Sequence, residues 1–294
     1  MMTARMTAVA LALVLCASVA LAGENEPQRP DYERGRKLCT LDNRLVSESS
    51  GLACSRRNKG VFWTHNDSGD KPQVYAFDKQ GHDLATYRIK GAAHTDWEDI
   101  ASFELDGKAY LLIGDIGDNL RRREWYYVYI VEEPEIDTSK RGVRGELKPS
   151  KIVQFQFAGG SEDGEGVAVD TTEKVIYVAV RKGRSCPIFA FKLPAEKKAT
   201  ARAALVARLP IHRANAIDIA PDGSRAVVHR YGRVYEYARS ADEHWPDAFK
   251  RKPRVFKTPD KPKGESAAYG TDGKTLYLTS EGRPCPVWEV PVKD

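Results

Sequence analysis

Short apolar runs bounded by turn residues return along the chain in a fixed order. The order opens on a polar residue and closes on a small–apolar–alanine step. It stands at 48–53 (ESSGLA), 96–101 (DWEDIA), 163–168 (DGEGVA), 215–220 (NAIDIA) and 263–268 (KGESAA). The anchoring alanines, Ala53, Ala101, Ala168, Ala220 and Ala268, lie 48, 67, 52 and 48 residues apart. Each is followed by a turn signal such as Asp106-Gly107 or Asp222-Gly223 and then by a β-branched or aromatic run, as at 175–180 (VIYVAV). Turn chemistry of this kind between such runs predicts hairpins. A glycine follows 12 to 16 residues past each anchor, at Gly69, Gly117, Gly183, Gly232 and Gly282, and a third run comes after it.

A fourth run closes four of the units, at 84–89, 152–157, 205–209 and 254–257, but the fifth unit has no chain left for one. A spare run at 37–41 precedes the first anchor and supplies the missing strand. Four-stranded units repeated in a ring make a β-propeller, which leaves only short protected edges. The expectation is therefore an all-β fold, a propeller of five four-stranded blades over 37–294, closed by its N-terminal strand. Two stacked sandwiches would not explain the missing strand reappearing at the N-terminus. The longest interval holds a polar stretch at 132–146, expected as a surface loop, and the basic stretch from Lys250 to Lys263 is read the same way.

Residues 1–22 carry one charge, Arg5, and an apolar run of 16 residues ending in Ala20-Leu21-Ala22. That run is short of the ~20 residues that span a bilayer and ends in the small-x-small pattern of a signal cleavage site. The expectation is a signal peptide cut after Ala22, a flexible segment at 23–36, and a soluble periplasmic or secreted product with no membrane partner after cleavage. Four cysteines remain, Cys39, Cys54, Cys186 and Cys285. An even number in an oxidising compartment points to disulfides, and the paired positions suggest Cys39–Cys54 and Cys186–Cys285. The net charge of +5 has acids and bases interspersed, which gives no nucleic-acid footprint.

Two columns of the repeat meet at one end of the channel. At the start of each first strand, Glu48, Asp96, Asp163, Asn215 and Lys263 stand five residues before the alanine, and Ser50, Glu98, Glu165, Ile217 and Glu265 three before it. A strand period of two puts both on the side of the apolar residue that precedes the alanine. Beside the loop glycines stand Asp67, Asp115 and Asp118 in the first two units, then Arg181, Arg184, Arg230, Arg233 and Arg283 in the others. Carboxylates converging on one mouth, from Asp67, Asp96, Glu98, Asp115, Asp118, Glu165 and Glu265, suit a hard cation such as Ca²⁺. The arginines suit a small anionic ligand. A metal beside arginines suits metal-dependent hydrolysis of a phosphoester or lactone. His65 and His229, at strand ends, are candidate general bases. Blade-locking hydrogen bonds are the competing reading of the carboxylates, and salt bridges that of the arginines.

The repeated Glu-(Asp/Gly/Ser)-(Ile/Val/Ala)-Ala element, with WTHNDSG at 63–69 and GDIGDN at 114–119, resembles exported propellers of the SdiA-regulated type. It is also similar to phytase-like and strictosidine-synthase-like calcium propellers. The resemblance implies Glu98, Glu165 and Glu265 as metal ligands, with Ile217 and Ser50 as departures in the fourth and first units. Three classes follow: a calcium- and anion-binding module, a hydrolase, or a protein-interaction scaffold whose partner sits on the blade sides or on 132–146.

Overall fold

The computed structural model describes residues 30–259 and 264–293. The expected signal peptide and Lys263 of the fifth anchor lie outside the described residues. Strand β1 (Arg36–Thr40) precedes a first meander of β2 (Ser49–Cys54), β3 (Val61–Asn66), β4 (Gln73–Asp78) and β5 (Asp83–Ile89). Next come β6 (Trp97–Leu105), β7 (Lys108–Asp115), β8 (Tyr126–Glu132), β9 (Val143–Leu147) and β10 (Lys151–Phe157). The third meander is β11 (Gly164–Asp170), β12 (Val175–Val180), β13 (Cys186–Lys192) and β14 (Lys198–Leu209). The fourth is β15 (Ala216–Ile219), β16 (Arg225–Arg230) and β17 (Arg233–Ala238), then a four-residue helix α1 (Trp245–Ala248) and β18 (Arg254–Lys257). Strands β19 (Gly264–Tyr269), β20 (Leu276–Ser280) and β21 (Pro286–Val290) end the chain.

The molecule is all-β, in the propeller arrangement that the repeat predicts. The first strands of the meanders lie side by side around an axis: β2 against β6, β6 against β11, β11 against β15, β15 against β19, and β19 against β2. Each is packed on both sides, which explains the small–apolar–alanine step. Ile100 packs with Trp63 toward the first meander, whereas Ala101 packs with Val167 toward the third. Strand β1 pairs antiparallel with β21, as the spare N-terminal run requires.

The outer edges depart from simple repetition. Strand β14 pairs in parallel with β10, which joins the second and third meanders into one eight-stranded sheet. The stretch at 132–146 is exposed at most positions, as expected of the surface, but it also acts as a clasp. Its C-terminal part forms β9, parallel to β5 of the first meander, and Glu133 is buried where it accepts a 2.6 Å bond from the Trp63 indole. Glu133 alone of its acids is buried, where it accepts backbone and side-chain donors of a neighbour. Of the segment expected to be flexible, residues 30–35 are held down. Tyr32 is buried, donates to Glu236 at 2.7 Å and stacks on Phe256 at 4.3 Å, while Glu33 N–H donates to Pro291. The basic stretch is engaged too, with Arg251 ion-paired to Glu243 and Arg254 to Asp31.

The cysteine expectation is corrected: no disulfide joins Cys39, Cys54, Cys186 and Cys285. Cys186 sits in the core with Ile188, Ile217 and Tyr237, and the other three in a separate core with Leu41, Phe62 and Tyr277. A 186–285 bond would have to cross between those cores. Burial pushes the Cys39 and Cys186 thiols up to about 12 and Cys54 higher still, so they are protonated apolar fillers.

The inner strands are locked by a column that the period-two reading had set aside. Two residues before each anchor stand Gly51, Asp99, Gly166, Asp218 and Ser266. Asp99 accepts the N–H of Val167 on β11 at 3.0 Å, Asp218 that of Tyr269 on β19 at 2.7 Å, and Ser266 that of Leu52 on β2 at 2.9 Å. Where the column carries glycine the backbones close directly: a Cβ at Gly51 or Gly166 would lie 2.7 or 2.6 Å from the nitrogen of Ile100 or Ile217. Truncating Asp99 orphans the buried donors of Val167 and Ile100, each at a cost of about 1–3 kcal/mol. Asp99→Ala is thus expected to unfold at lower urea than Asp99→Asn, which keeps an acceptor; equal midpoints for both and the wild type would refute the lock.

Candidate functional site at the channel mouth

The carboxylates reach the mouth because four inner strands are bulged at one place. The register shifts between Ser49 and Gly51, Trp97 and Asp99, Gly164 and Gly166, and Gly264 and Ser266. The bulged residues are Ser50, Glu98, Glu165 and Glu265. A bulge inserts one residue and re-aims its side chain, so the alternation expected from the sequence is broken there. Glu98 and its counterparts turn to the channel end, and the residue after each drops into the neighbouring strand. In the fourth unit β15 and β16 run in regular register from Ala216, and Ile217 stays in the core.

Three of the expected ligands meet. Single oxygens of Asp67, Asp96 and Glu98 lie within 4.8 Å of one another. Glu98 and Asp96 close over Gly117, where a Cβ would lie 2.3 Å from Glu98 Oε1 and 2.4 Å from Asp96 Oδ2. Only a residue without a side chain leaves that space. Next to this group Arg181 bonds Glu165 at 2.7 Å, Asp163 at 3.1 Å and Asn119 at 2.9 Å. The mouth therefore has a half in which carboxylates meet the Arg181 guanidinium and a half, at Asp67, Asp96 and Glu98, in which no ion pair forms among the described residues.

Protonation follows that division. Burial and the neighbouring Asp67 push Asp96 up to about 6, and burial raises Asp67 as well. Burial, then the charge of Glu165 and the surrounding aspartates, hold Glu98 well above the ordinary carboxylate range. Glu165 is raised too, since its burial outweighs the attraction of Arg181. Like charges crowded in low dielectric favour the proton unless a cation replaces it.

The other expected ligands are engaged elsewhere. Asp115 is fully buried, accepts the N–H groups of Thr95 and Asp96 and pairs with Arg123 at 2.8 Å. Asp118 accepts from Tyr126 and the Arg123 N–H at 2.9 and 2.8 Å and donates its own N–H to Asp163. Both fix the loop that carries Gly117. Glu265 accepts the Tyr231 hydroxyl at 3.0 Å and the Asn215 amide at 3.3 Å. Of the arginines, Arg181 alone enters the carboxylate group; Arg184, Arg233 and Arg283 are exposed on the rim and Arg230 is half-buried.

The histidines are set into the walls. His65 is fully buried, bonds the Asn66 carbonyl at 2.8 Å and meets Trp97 edge-on; burial lowers it to about 4, so it is neutral at pH 7. His229 is equally buried, with Nδ1 2.7 Å from Asn215 Oδ1. Both rings are enclosed by the walls, and the neutral form in which burial holds His65 leaves its role as a general base a proposal. Asp99, Asp218, Ser266, Arg123 and Tyr231 went unnoticed in the sequence. The first three could have been found, because the column two before the alanine is polar or glycine in every unit.

No protein-family model matches the chain, and no curated protein matches it. Among solved structures it is similar to a glutaminyl cyclase of Myxococcus xanthus, with 11% identity, a TM-score of 0.51, and coverage of 91% of this chain and 100% of the other. A gluconolactonase of Xanthomonas campestris is matched at 13% identity and a TM-score of 0.48, over 91% and 97% of the two chains. At such identities the first likeness is one of fold.

The raised carboxyls set a testable pH dependence. Asp96 titrates near 6 when folded and near ~3.9 unfolded, so the folded chain holds more protons between those values. Its contribution to stability is present below pH ~4 and is lost as the pH rises through 6. His65, held neutral, acts oppositely over the same window, so the informative quantity is a difference. In EDTA, Asp96→Asn is expected to gain thermal midpoint over the wild type as the pH goes from 5 to 7.5. A difference that does not change with pH would contradict the assignment.

Proposed function

We propose that the chain is an exported five-bladed β-propeller, closed by β1 on β21, that binds a divalent cation of the calcium class at its channel mouth. The observation that carries this reading is the convergence of Asp67, Asp96 and Glu98, the last two over a glycine whose Cβ would fill the space. Hard oxygen donors without a guanidinium or ammonium among them suit such an ion, and the raised carboxyls mark a charge that the site has not balanced internally. Asp115 and Asp118 hold the Gly117 loop in place, and Arg181 keeps Asp163 and Glu165 from competing for the same ion. A small anionic ligand would complete the coordination from the open side, where the rim arginines lie. Kinship with SdiA-regulated and phytase-like calcium propellers is part of the same proposal.

A second reading, metal-dependent hydrolysis of a phosphoester or lactone, is favoured by the Glu98–Glu165 neighbourhood. Two buried carboxyls with raised proton affinity are typical of sites that move protons. A bound cation would act as a Lewis acid on the ester oxygen. Glu165, positioned by Arg181, would then supply or accept the proton on the leaving side.

The reading is tested by thermal unfolding after EDTA treatment, with and without millimolar Ca²⁺. An ion bound only to the folded state at 100 times its dissociation constant adds about 2.7 kcal/mol. The wild type is expected to gain several degrees, and Glu98→Gln and Gly117→Ala to lose that gain while remaining folded in EDTA. No gain in the wild type would leave the interaction scaffold as the remaining class. For the hydrolase reading, phosphate monoesters and lactones are screened with Ca²⁺ present. Turnover should fall at least 100-fold in Glu165→Gln; unchanged turnover would remove Glu165 from the chemistry.

A further inference from the structure

The face that carries the mouth also carries most of the large apolar side chains left in solvent. Among the described residues five large hydrophobics are exposed, and three stand on this face: Leu45 at 55%, Leu120 at 70% and Tyr231 at 43%. Leu45 lies in the loop entering β2, Leu120 in the loop from β7 to β8, and Tyr231 between β16 and β17. They therefore come from three separate parts of the rim. Each has arginine close by in sequence: Arg44 before Leu45, Arg121 and Arg122 after Leu120, Arg230 and Arg233 around Tyr231. Arg44, Arg122 and Arg233 are exposed and have no carboxylate in ion-pair distance among the described residues.

One exposed leucine needs no explanation. Three apolar tips on a single face, each flanked by guanidinium, match what an interfacial surface requires: apolar groups that enter the headgroup layer and cations that meet its phosphates. We propose that the mouth face docks on an anionic lipid bilayer, with Leu45 and Leu120 entering the headgroup region, the Tyr231 ring, its hydroxyl held by Glu265, lying at its edge, and the flanking arginines pairing with lipid phosphate. The mouth then opens onto the membrane surface, and the anion offered to it is a lipid headgroup phosphate. That last step rests on the cation reading above; the docking does not.

The experiment is co-sedimentation of the chain from Gly23 onward, which holds every described strand, with vesicles of phosphatidylglycerol and phosphatidylcholine (1:3) or of phosphatidylcholine alone. The wild type is expected to pellet with the anionic vesicles, much less with the neutral ones, and less as salt rises. Leu45→Ser/Leu120→Ser should weaken this by at least tenfold, on the scale of losing a buried leucine. Arg44→Gln/Arg122→Gln should weaken it and flatten the salt dependence. The leucine variant should keep its Ca²⁺ thermal shift, which separates failure of docking from failure of the cation site. Absence of the wild type from the anionic pellet would overturn the proposal. So would arginine variants that lose binding while the leucine variant keeps it, since that pattern describes charge adsorption without entry of the apolar tips into the headgroup layer.

Discussion

The structure depends on how its inner strands hold one another. A propeller has no sheet hydrogen bonds between its inner strands around the axis, so the polar backbone of a first strand must find partners in the side chains of a neighbouring one. Asp99, Asp218 and Ser266 supply those partners by accepting N–H groups of the following strand. Ser50 does the same in the other sense, donating to the Glu98 carbonyl at 2.7 Å. Glycine at 51 and 166 achieves the same closeness by leaving no side chain in the way. Burial raises Asp99 far above an ordinary aspartate, and Asp218 to about 6. The axis is thus held by carboxyls whose value lies in accepting hydrogen bonds rather than in charge.

The functional end follows from the same strands. The bulge that turns Glu98 toward the mouth also lets Asp99 drop into its neighbour, so locking and site-building are coupled in adjacent residues. At the mouth the arrangement is asymmetric by composition. The third unit brings Arg181 to its own carboxylates; the Asp67, Asp96 and Glu98 group of the first two forms no ion pair among the described residues, Arg123 being engaged by Asp115. Carboxylates packed together in low dielectric are unfavourable unless protonated or matched by a cation. Retaining them beside a glycine that keeps their oxygens accessible is hard to explain as blade locking, since Asp99, Asp218 and Ser266 already perform that role.

The all-β class, the repeat, the strands, the N-terminal run that pairs with β21 and the acidic character of one channel end were legible in the sequence. They follow from local chemistry, namely turn residues, β-branched runs and a period that survives in every unit. Other features depended on which surfaces meet. The polar stretch at 132–146 became a clasp because the first meander offers β5 an edge and Trp63 a donor without a partner of its own. Cys186 stayed apart from Cys285 because they lie in two different cores. His65 and His229 are enclosed because their strands run inside the walls. The seven acids named for one site divided into a cluster of three, an arginine-paired glutamate, two loop braces and a tyrosine-bound glutamate. A single inserted residue in each bulged strand changed which side chains face the mouth. Period-two alternation, read from the sequence, cannot register that insertion, because a bulge is defined by the partner strand and not by the strand that carries it.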